Sequence, residues 1–241
     1  MSFTNVYDDA ERAEAYAKLD FPGTYYLAFR DLPKIIGNHV QGSKALDFGC
    51  GAGRSTRFLK EIGFNVIGVD ISEDMLRLAR ERDPQGEYVH ADETTLNQLG
   101  THAFDLVQSI FTFDNIPTHE KKVEIFKALA GLLRPEGCII NLVSSPDIYT
   151  HEWASFSTKD FAGNLVAKTG DSVFTMMLDV EDRRPVHDIL WPDLAYRAVF
   201  EDARLEIVKI YKPLGKPEEP FKWVNETNFA PWVIYVLQAK R

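Results

Sequence analysis

Between Lys44 and Val143 the chain alternates short apolar runs with segments of helical period, and this rhythm narrows the possible folds more than any other feature. Lys44–Phe48, Asn65–Asp70, Glu87–Ala91, Phe104–Ile110 and Cys138–Val143 read as buried strands. Ser55–Ile62 reads as a helix that Gly63 can close in a left-handed conformation. Ser72 suits the cap of the next helix, with Glu73 and Asp74 where the helix dipole favours acids and Met75, Leu76 and Ala79 on the apolar face. From about Thr118 to Leu133 the residues Val123, Phe126, Leu129, Ala130 and Leu133 recur at helical spacing, and Arg134–Gly137 reads as a turn. Strand and helix in this order imply parallel strands joined by right-handed crossovers, hence an open sheet with helices on both faces. Ligands of such sheets bind at the carboxyl ends of the strands, near the point where strand order reverses.

Residues 144 to about 192 break the rhythm. "SVFTMMLDV" and "PVHDILW" flank the charged "EDRR" and read as a hairpin, so this segment is expected as a lobe over the carboxyl edge of the sheet. Pro192–Ala203 returns to a helix, Leu205–Tyr211 to a strand, and "PWVIYVLQAK" to a last strand. "KPLGKPEEP" (Lys212–Pro220) has the composition of an exposed connection.

The 241 residues are 45% hydrophobic and 26% charged, enough for one large domain with an inserted lobe. A formal net charge of −9 argues against nucleic acid or an anionic membrane as partner. The basic pairs Lys121-Lys122 and Arg183-Arg184 lie among acids and read as solvated surface. No apolar run is long enough to span a bilayer, and the start, "MSFTNVYDDAERAEAY", lacks the basic and apolar blocks of a secretory signal. Cys50 and Cys138 have neither metal-ligand nor disulfide spacing, so reduced thiols and a cytoplasmic location are expected. No metal is expected: the six histidines are scattered, and His187 and Asp188 on a strand point to opposite faces.

Gly49, Gly51 and Gly53 occupy alternate positions between the first strand and its helix, with Asp47 in front of them. A loop this bare lets the backbone approach a ligand closely. Dinucleotide loops follow G-x-G-x-x-G and rest a pyrophosphate on the helix N-terminus. The spacing here is G-x-G-x-G, and an acid at the base of the loop suits a ligand with an amino group or other positive charge. Asp70 ends the second strand, where an acid can accept both hydroxyls of a ribose. Asp92 follows the third, where it can accept from an adenine amino group. The three acids together describe an adenosine joined to a cationic amino-acid tail, as in S-adenosylmethionine.

With these residues in place the sequence resembles the class I S-adenosylmethionine-dependent methyltransferases. The likeness rests on "LDFGCGAG" (Leu46–Gly53), "VIGVDIS" (Val66–Ser72), "HAD" (His90–Asp92), "FDLVQSIFTFDNIP" (Phe104–Pro117) and "LLRPEGCIINLV" (Leu132–Val143), and covers about residues 25 to 143 in order and spacing. It implies a Rossmann-like, doubly wound α/β fold whose mostly parallel sheet has seven strands and an antiparallel last strand, with an inserted lobe after strand five. The expected layout is 1–43 as an N-terminal helical lid, 44–143 as the cofactor core, 144–192 as a substrate lobe and 193–241 as a helix and strands completing the sheet. By position, Gly49, Gly51 and Gly53 would pass under the methionine part, and Asp47 would orient the loop or the amino group. Asp70 would hold the ribose, Ile71 pack on the adenine and Asp92 meet its amino group, with Ser109 and Ile110 as the floor beside the methyl.

The implied activity is in-line methyl transfer, which needs orientation and exclusion of water, and a general base only if the acceptor must lose a proton. The acceptor pocket is expected from three places. These are the N-terminal segment with Tyr7, Tyr16, Tyr25 and Tyr26, the end of strand four with Phe113, Asp114 and Asn115, and "SSPDIYTHEWASF" (Ser144–Phe156) with Tyr149 and Trp153. His151 is the candidate base. A small organic acceptor attacked at nitrogen, oxygen or carbon is expected, with a planar or hydrophobic molecule suiting an aromatic pocket. A non-catalytic cofactor-binding protein, or another transferase reaction on the same cofactor, is the alternative.

Overall fold

The computed structural model describes residues 22–91 and 95–240. Its main sheet contains β1 (Lys44–Phe48), β2 (Asn65–Asp70), β3 (Glu87–His90), β4 (Phe104–Ile110) and β5 (Leu133–Ser144), all parallel. Chain order continues with β6 (Phe156–Ser157), β7 (Ser172–Met177), β8 (Val186–Ile189), β9 (Leu205–Tyr211) and β10 (Trp232–Ala239). The seven-stranded sheet runs β3-β2-β1-β4-β5-β10-β9, with β10 antiparallel to both of its neighbours. Six strands therefore point one way and one the other, and the order reverses between β1 and β4. The carboxyl ends of those two strands are the place where a ligand fits.

The principal helices are α1 (Leu32–His39), α2 (Arg54–Glu61), α3 (Glu73–Arg82), α4 (His119–Leu132) and α5 (Asp193–Asp202). Alternating strand residues feed two apolar layers. Ala45, Leu106, Ile140 and Ile234 face α1, α2 and the turn Tyr26–Phe29, while Leu46, Val107, Ile139 and Val233 face α4 and α5. β4 is buried at every position, as a central parallel strand covered on both sides must be. Ser72 caps α3 by accepting from the Met75 N–H at 3.4 Å.

One expected boundary moves. Arg134–Gly137 is not a turn before the strand but a bulge inside β5, because pairing steps from Phe104↔Leu133 directly to Leu106↔Cys138. Arg134 reaches back to Asp105 at 2.7 Å, and Asp105 accepts from the Ser43 and Lys44 N–H groups, so the bulge fastens the start of β1.

After β5 the chain forms a separate three-stranded antiparallel sheet, β6-β7-β8, whose β7–β8 pair is the hairpin read from the sequence. Asn164 pins it internally, donating to the Tyr149 and Phe174 carbonyls and accepting from the Phe174 N–H. β8 packs against the turn Thr112–Asn115 at the end of β4, so the lobe covers the carboxyl edge. Among the described residues, no helix is long and apolar enough to cross a membrane.

Candidate active site

The glycine loop joins β1 to α2. The Gly49 and Cys50 N–H groups both donate to the Val69 carbonyl, at 2.8 and 3.0 Å, which folds the loop over the end of β2. Gly49, Gly51 and Gly53 have φ of +73°, +52° and +78°, so each uses the left-handed region that glycine tolerates. Their surroundings differ. A Cβ on Gly49 would collide with Thr112, and one on Gly53 would lie 2.6 Å from the Tyr88 hydroxyl. A Cβ on Gly51 would meet only Met75 Cε at 3.8 Å. Two of the glycines make room for the protein's own side chains, and Gly51 alone has free space above it.

Two described acids lie beneath this loop. Asp47 is fully buried, and its Oδ2 accepts from the Ser55 and Thr56 hydroxyls at 2.7 and 2.6 Å, tying β1 to the first turn of α2. The Gln108 amide approaches from β4, yet Oδ1 completes no hydrogen bond. Burial pushes the Asp47 carboxyl up to about 6 against these hydroxyls. Asp70 accepts from the Gly51 N–H at 2.8 Å and the Ser72 N–H at 2.9 Å, one on each oxygen. Burial raises its pKa as well. Each oxygen keeps a further acceptor site. Ile71, immediately after Asp70, is 54% exposed, a bare apolar side chain at the carboxyl edge. An uncompleted buried carboxylate, a space above Gly51, an acid at the end of β2 and an exposed aliphatic side chain beside it fit a cationic adenosine derivative. They give a pyrophosphate nothing positive to rest on.

Across Phe111 lies a second feature. Phe111 follows β4 with φ +63°, a strained conformation for an aromatic residue, and strain of this kind collects at functional sites. Its ring lies 4.7 Å from that of Trp232 and 5.9 Å from that of Tyr25. These rings, with Phe156, Asp114 and Asp188, wall a cavity of ≈ 30 Å³ between the sheet edge and the lobe. Asp114 accepts from the Ser144 N–H on both oxygens, at 3.2 and 3.0 Å, and Asp188 accepts from the Tyr149 hydroxyl at 3.1 Å. Behind them the fully buried Lys122 donates to the Phe113 carbonyl and lies 4.8 Å from the centre of the Trp191 ring. Burial lowers the Lys122 pKa and raises that of Asp114, while their mutual attraction opposes both shifts.

A family profile described as "Methyltransferase domain" matches residues 46–141, the stretch from β1 to β5. An N-demethylindolmycin N-methyltransferase of Streptomyces griseus is 26% identical over 88% of this chain and 90% of its own length. A trans-aconitate 2-methyltransferase of Paracidovorax citrulli is 28% identical over 87% and 75%. The solved CcbJ methyltransferase of Streptomyces caelestis covers both chains in full at a TM-score of 0.68 and 17% identity, a likeness of fold. Residues 46–141 thus match a methyltransferase domain, and the chain as a whole is similar to methyltransferases in sequence and to S-adenosylmethionine-dependent methyltransferases in fold. The domain match and the methyltransferase relatives mark it as an enzyme, and neighbours of known structure from Clostridium acetobutylicum and Listeria monocytogenes are described as S-adenosylmethionine-dependent.

In this methyltransferase the sequence-derived residues divide into three groups. Asp47, Gly49, Gly51, Gly53, Asp70 and Ile71 converge at the loop, whereas Asp92 lies outside the described residues, as do Tyr7 and Tyr16. Ser109 and Ile110 are buried within β4, and the Ser109 hydroxyl has no partner. Asp114 lines the cavity. Phe113 does not: it stacks on Phe126 at 4.0 Å in the α4 layer, because the turn after β4 sends Phe111 to the cavity in its place. Trp153 is 1% exposed and donates to the Ile148 carbonyl, so it anchors the lobe, and Tyr149 lies behind the cavity wall, donating to Asp188. His151 lies 4.0 Å from the Phe229 ring, away from that wall.

Lys122 corrects the reading of Lys121-Lys122 as solvated surface. It sits four residues before Phe126 and seven before Leu129, on the apolar stripe of α4, so the helical period itself carried the signal. Phe111, Asp188 and Trp232 carried no comparable local signal. A larger cavity of ≈ 450 Å³, bordered by Trp191, Asp193 and Lys212, contains no residue of the glycine loop.

Proposed function

We propose that this methyltransferase acts on a small organic acceptor, at nitrogen, oxygen or carbon, by in-line methyl transfer. One observation carries the reading: the cavity across Phe111 is roofed by the lobe and lined by the rings of Tyr25, Phe111, Phe156 and Trp232, a surface that suits a small organic group. Two relatives matched over most of their length are named for small molecules, N-demethylindolmycin and trans-aconitate. The net charge of −9 argues against a nucleic-acid substrate, and the free, buried Cys50 and Cys138 suit the cytoplasm.

When bound, S-adenosylmethionine supplies an electrophilic methyl group. The chain's own part is to hold and orient. Asp70 receives the ribose hydroxyls, Ile71 covers the adenine, Gly51 leaves room for the methionine tail, and Asp47 fixes the loop. Asp92 receives the adenine amino group. The lobe and Tyr25 keep water from the nucleophile.

Calorimetry with S-adenosylmethionine tests the cofactor side. Removing a charged acceptor forfeits roughly 1.5–3 kcal/mol, so Asp70→Ala should weaken binding about ten- to a hundredfold. Unchanged affinity would refute the ribose assignment. A screen of small-molecule extracts for S-adenosylhomocysteine release, with mass spectrometry for a product gaining one methyl, tests the acceptor side. Methylation confined to macromolecules is the contrary result.

A further inference from the structure

The charged side chains on the wall of the small cavity are both acids. Asp114 comes from the turn after β4 and Asp188 from β8, and both line the cavity where the lobe closes on the sheet. Four aromatic rings, Tyr25, Phe111, Phe156 and Trp232, pack together at 4.7–5.9 Å on the same wall, beside the neutral polar Asn115, Ser144 and Thr175. Carboxylates beside aromatic rings attract a cation twice over, by charge and by the ring quadrupole. The same wall repels a carboxylate, and buried acids penalise a partner that cannot neutralise them.

We propose that the acceptor is an amine, held as its ammonium in the cavity between Asp114 and Asp188, and that Asp114 takes the proton the nitrogen must lose before it reacts. This rests on the small-acceptor reading above and names its chemical class. The neutral nitrogen forms the N–C bond with its lone pair. The sulfonium S–C bond breaks with its electron pair left on sulfur as a neutral thioether, and the product leaves as an ammonium bearing a methyl where the proton was.

Asp114 suits the task. Burial raises its pKa, while the Ser144 N–H and Lys122 from α4 pull it back. The other titratable groups around it are Asp188, Tyr149 and Tyr196, and burial keeps both phenols protonated. Lys122 does not border the cavity and acts as the counter-charge behind the acids.

The test compares 2-phenylethylamine, 2-phenylethanol and 3-phenylpropionate, three probes of similar size. Calorimetry on the full chain saturated with S-adenosylhomocysteine reads binding, and mass spectrometry with S-adenosylmethionine reads methylation. The amine is expected to bind at least tenfold more tightly than the alcohol, with the acid weakest. Asp114→Asn and Asp188→Asn should each reduce amine affinity roughly ten- to a hundredfold while S-adenosylhomocysteine affinity stays within threefold. Asp188→Asn carries the comparison if Asp114→Asn does not fold by circular dichroism. Equal binding of amine and alcohol, binding of none of the three, or amine affinity unchanged in the folded variants overturns the proposal. Methylation of the alcohol or acid in place of the amine overturns it too, leaving a small acceptor standing. Methylation confined to protein or nucleic acid in a cell extract overturns both readings.

Discussion

Gly49, Gly51 and Gly53 share a left-handed backbone and differ in what lies above them, which makes their roles separable by substitution. An added methyl at Gly51 points into space and costs only the conformational penalty, roughly 1–2 kcal/mol. Gly51→Val should therefore stay folded by circular dichroism while losing S-adenosylmethionine binding by at least about a hundredfold, since it fills the tail's space. Gly49→Ala pushes into Thr112 and adds overpacking of about 1–3 kcal/mol, so its melting temperature should fall further than that of Gly51→Ala. Equal melting temperatures in the two alanine variants would contradict this division. The sequence announces a bare loop at this point, because missing side chains are visible in it. It does not say which gap a ligand fills, since Thr112 arrives from the turn after β4 and Tyr88 from β3.

At the scale of elements, α4 shows both the reach and the limit of periodicity. Its stripe predicts the helix to within a residue at each end, and the same stripe places Lys122 in the core. Charge alone misleads there, because a long side chain can bury its stem and meet a carbonyl and aromatic rings within. Burial depresses the Lys122 pKa below its ordinary 10.5, against the pull of Asp114 and Asp188. The folded protein then holds fewer protons than the unfolded chain at pH values just below 10.5, so this group adds stability as pH rises through that window. The gain is lost as pH falls through the depressed value, with a slope of at most about 1.4 kcal/mol per pH unit. Lys122→Met removes the titration at similar volume. Urea unfolding at pH 7 and pH 9 should show the wild-type protein gaining stability relative to the variant at the higher pH, and parallel behaviour would place Lys122 in water. The Arg134–Gly137 bulge is the complementary case: its turn chemistry is legible, but its place inside β5 depends on pairing with β4.

Across the whole molecule, the cavity is assembled from segments far apart in the chain, and one buried acid holds them. Glu226 is fully buried. Its Oε1 accepts from the Thr24 hydroxyl and the Ala154 N–H, both at 2.7 Å, and its Oε2 from the Val224 and Asn225 N–H groups at 2.8 and 3.1 Å. Thr24 and Ser155 also exchange hydrogen bonds, and the Trp232 indole donates to the Thr24 carbonyl. Thr24, Ala154, Ser155 and Trp232 in these ties each lie within two positions of a cavity wall, Tyr25, Phe156 or Trp232, or on the wall itself. No period in the sequence exposes contacts across 131 to 208 residues, which is why the glycine loop is legible in the sequence and the cavity across Phe111 is not. Glu226→Ala strands the buried Thr24 hydroxyl and loses three part-buried N–H partners, so a loss of roughly 1–3 kcal/mol is expected in urea unfolding. The glycine loop shares none of these bonds. S-adenosylmethionine affinity in the folded fraction should therefore stay within a few-fold, while acceptor KM rises and protease cleaves the 144–192 lobe faster. If cofactor affinity falls as far as acceptor affinity, the two halves of the site are coupled through Glu226 and the separation drawn here fails.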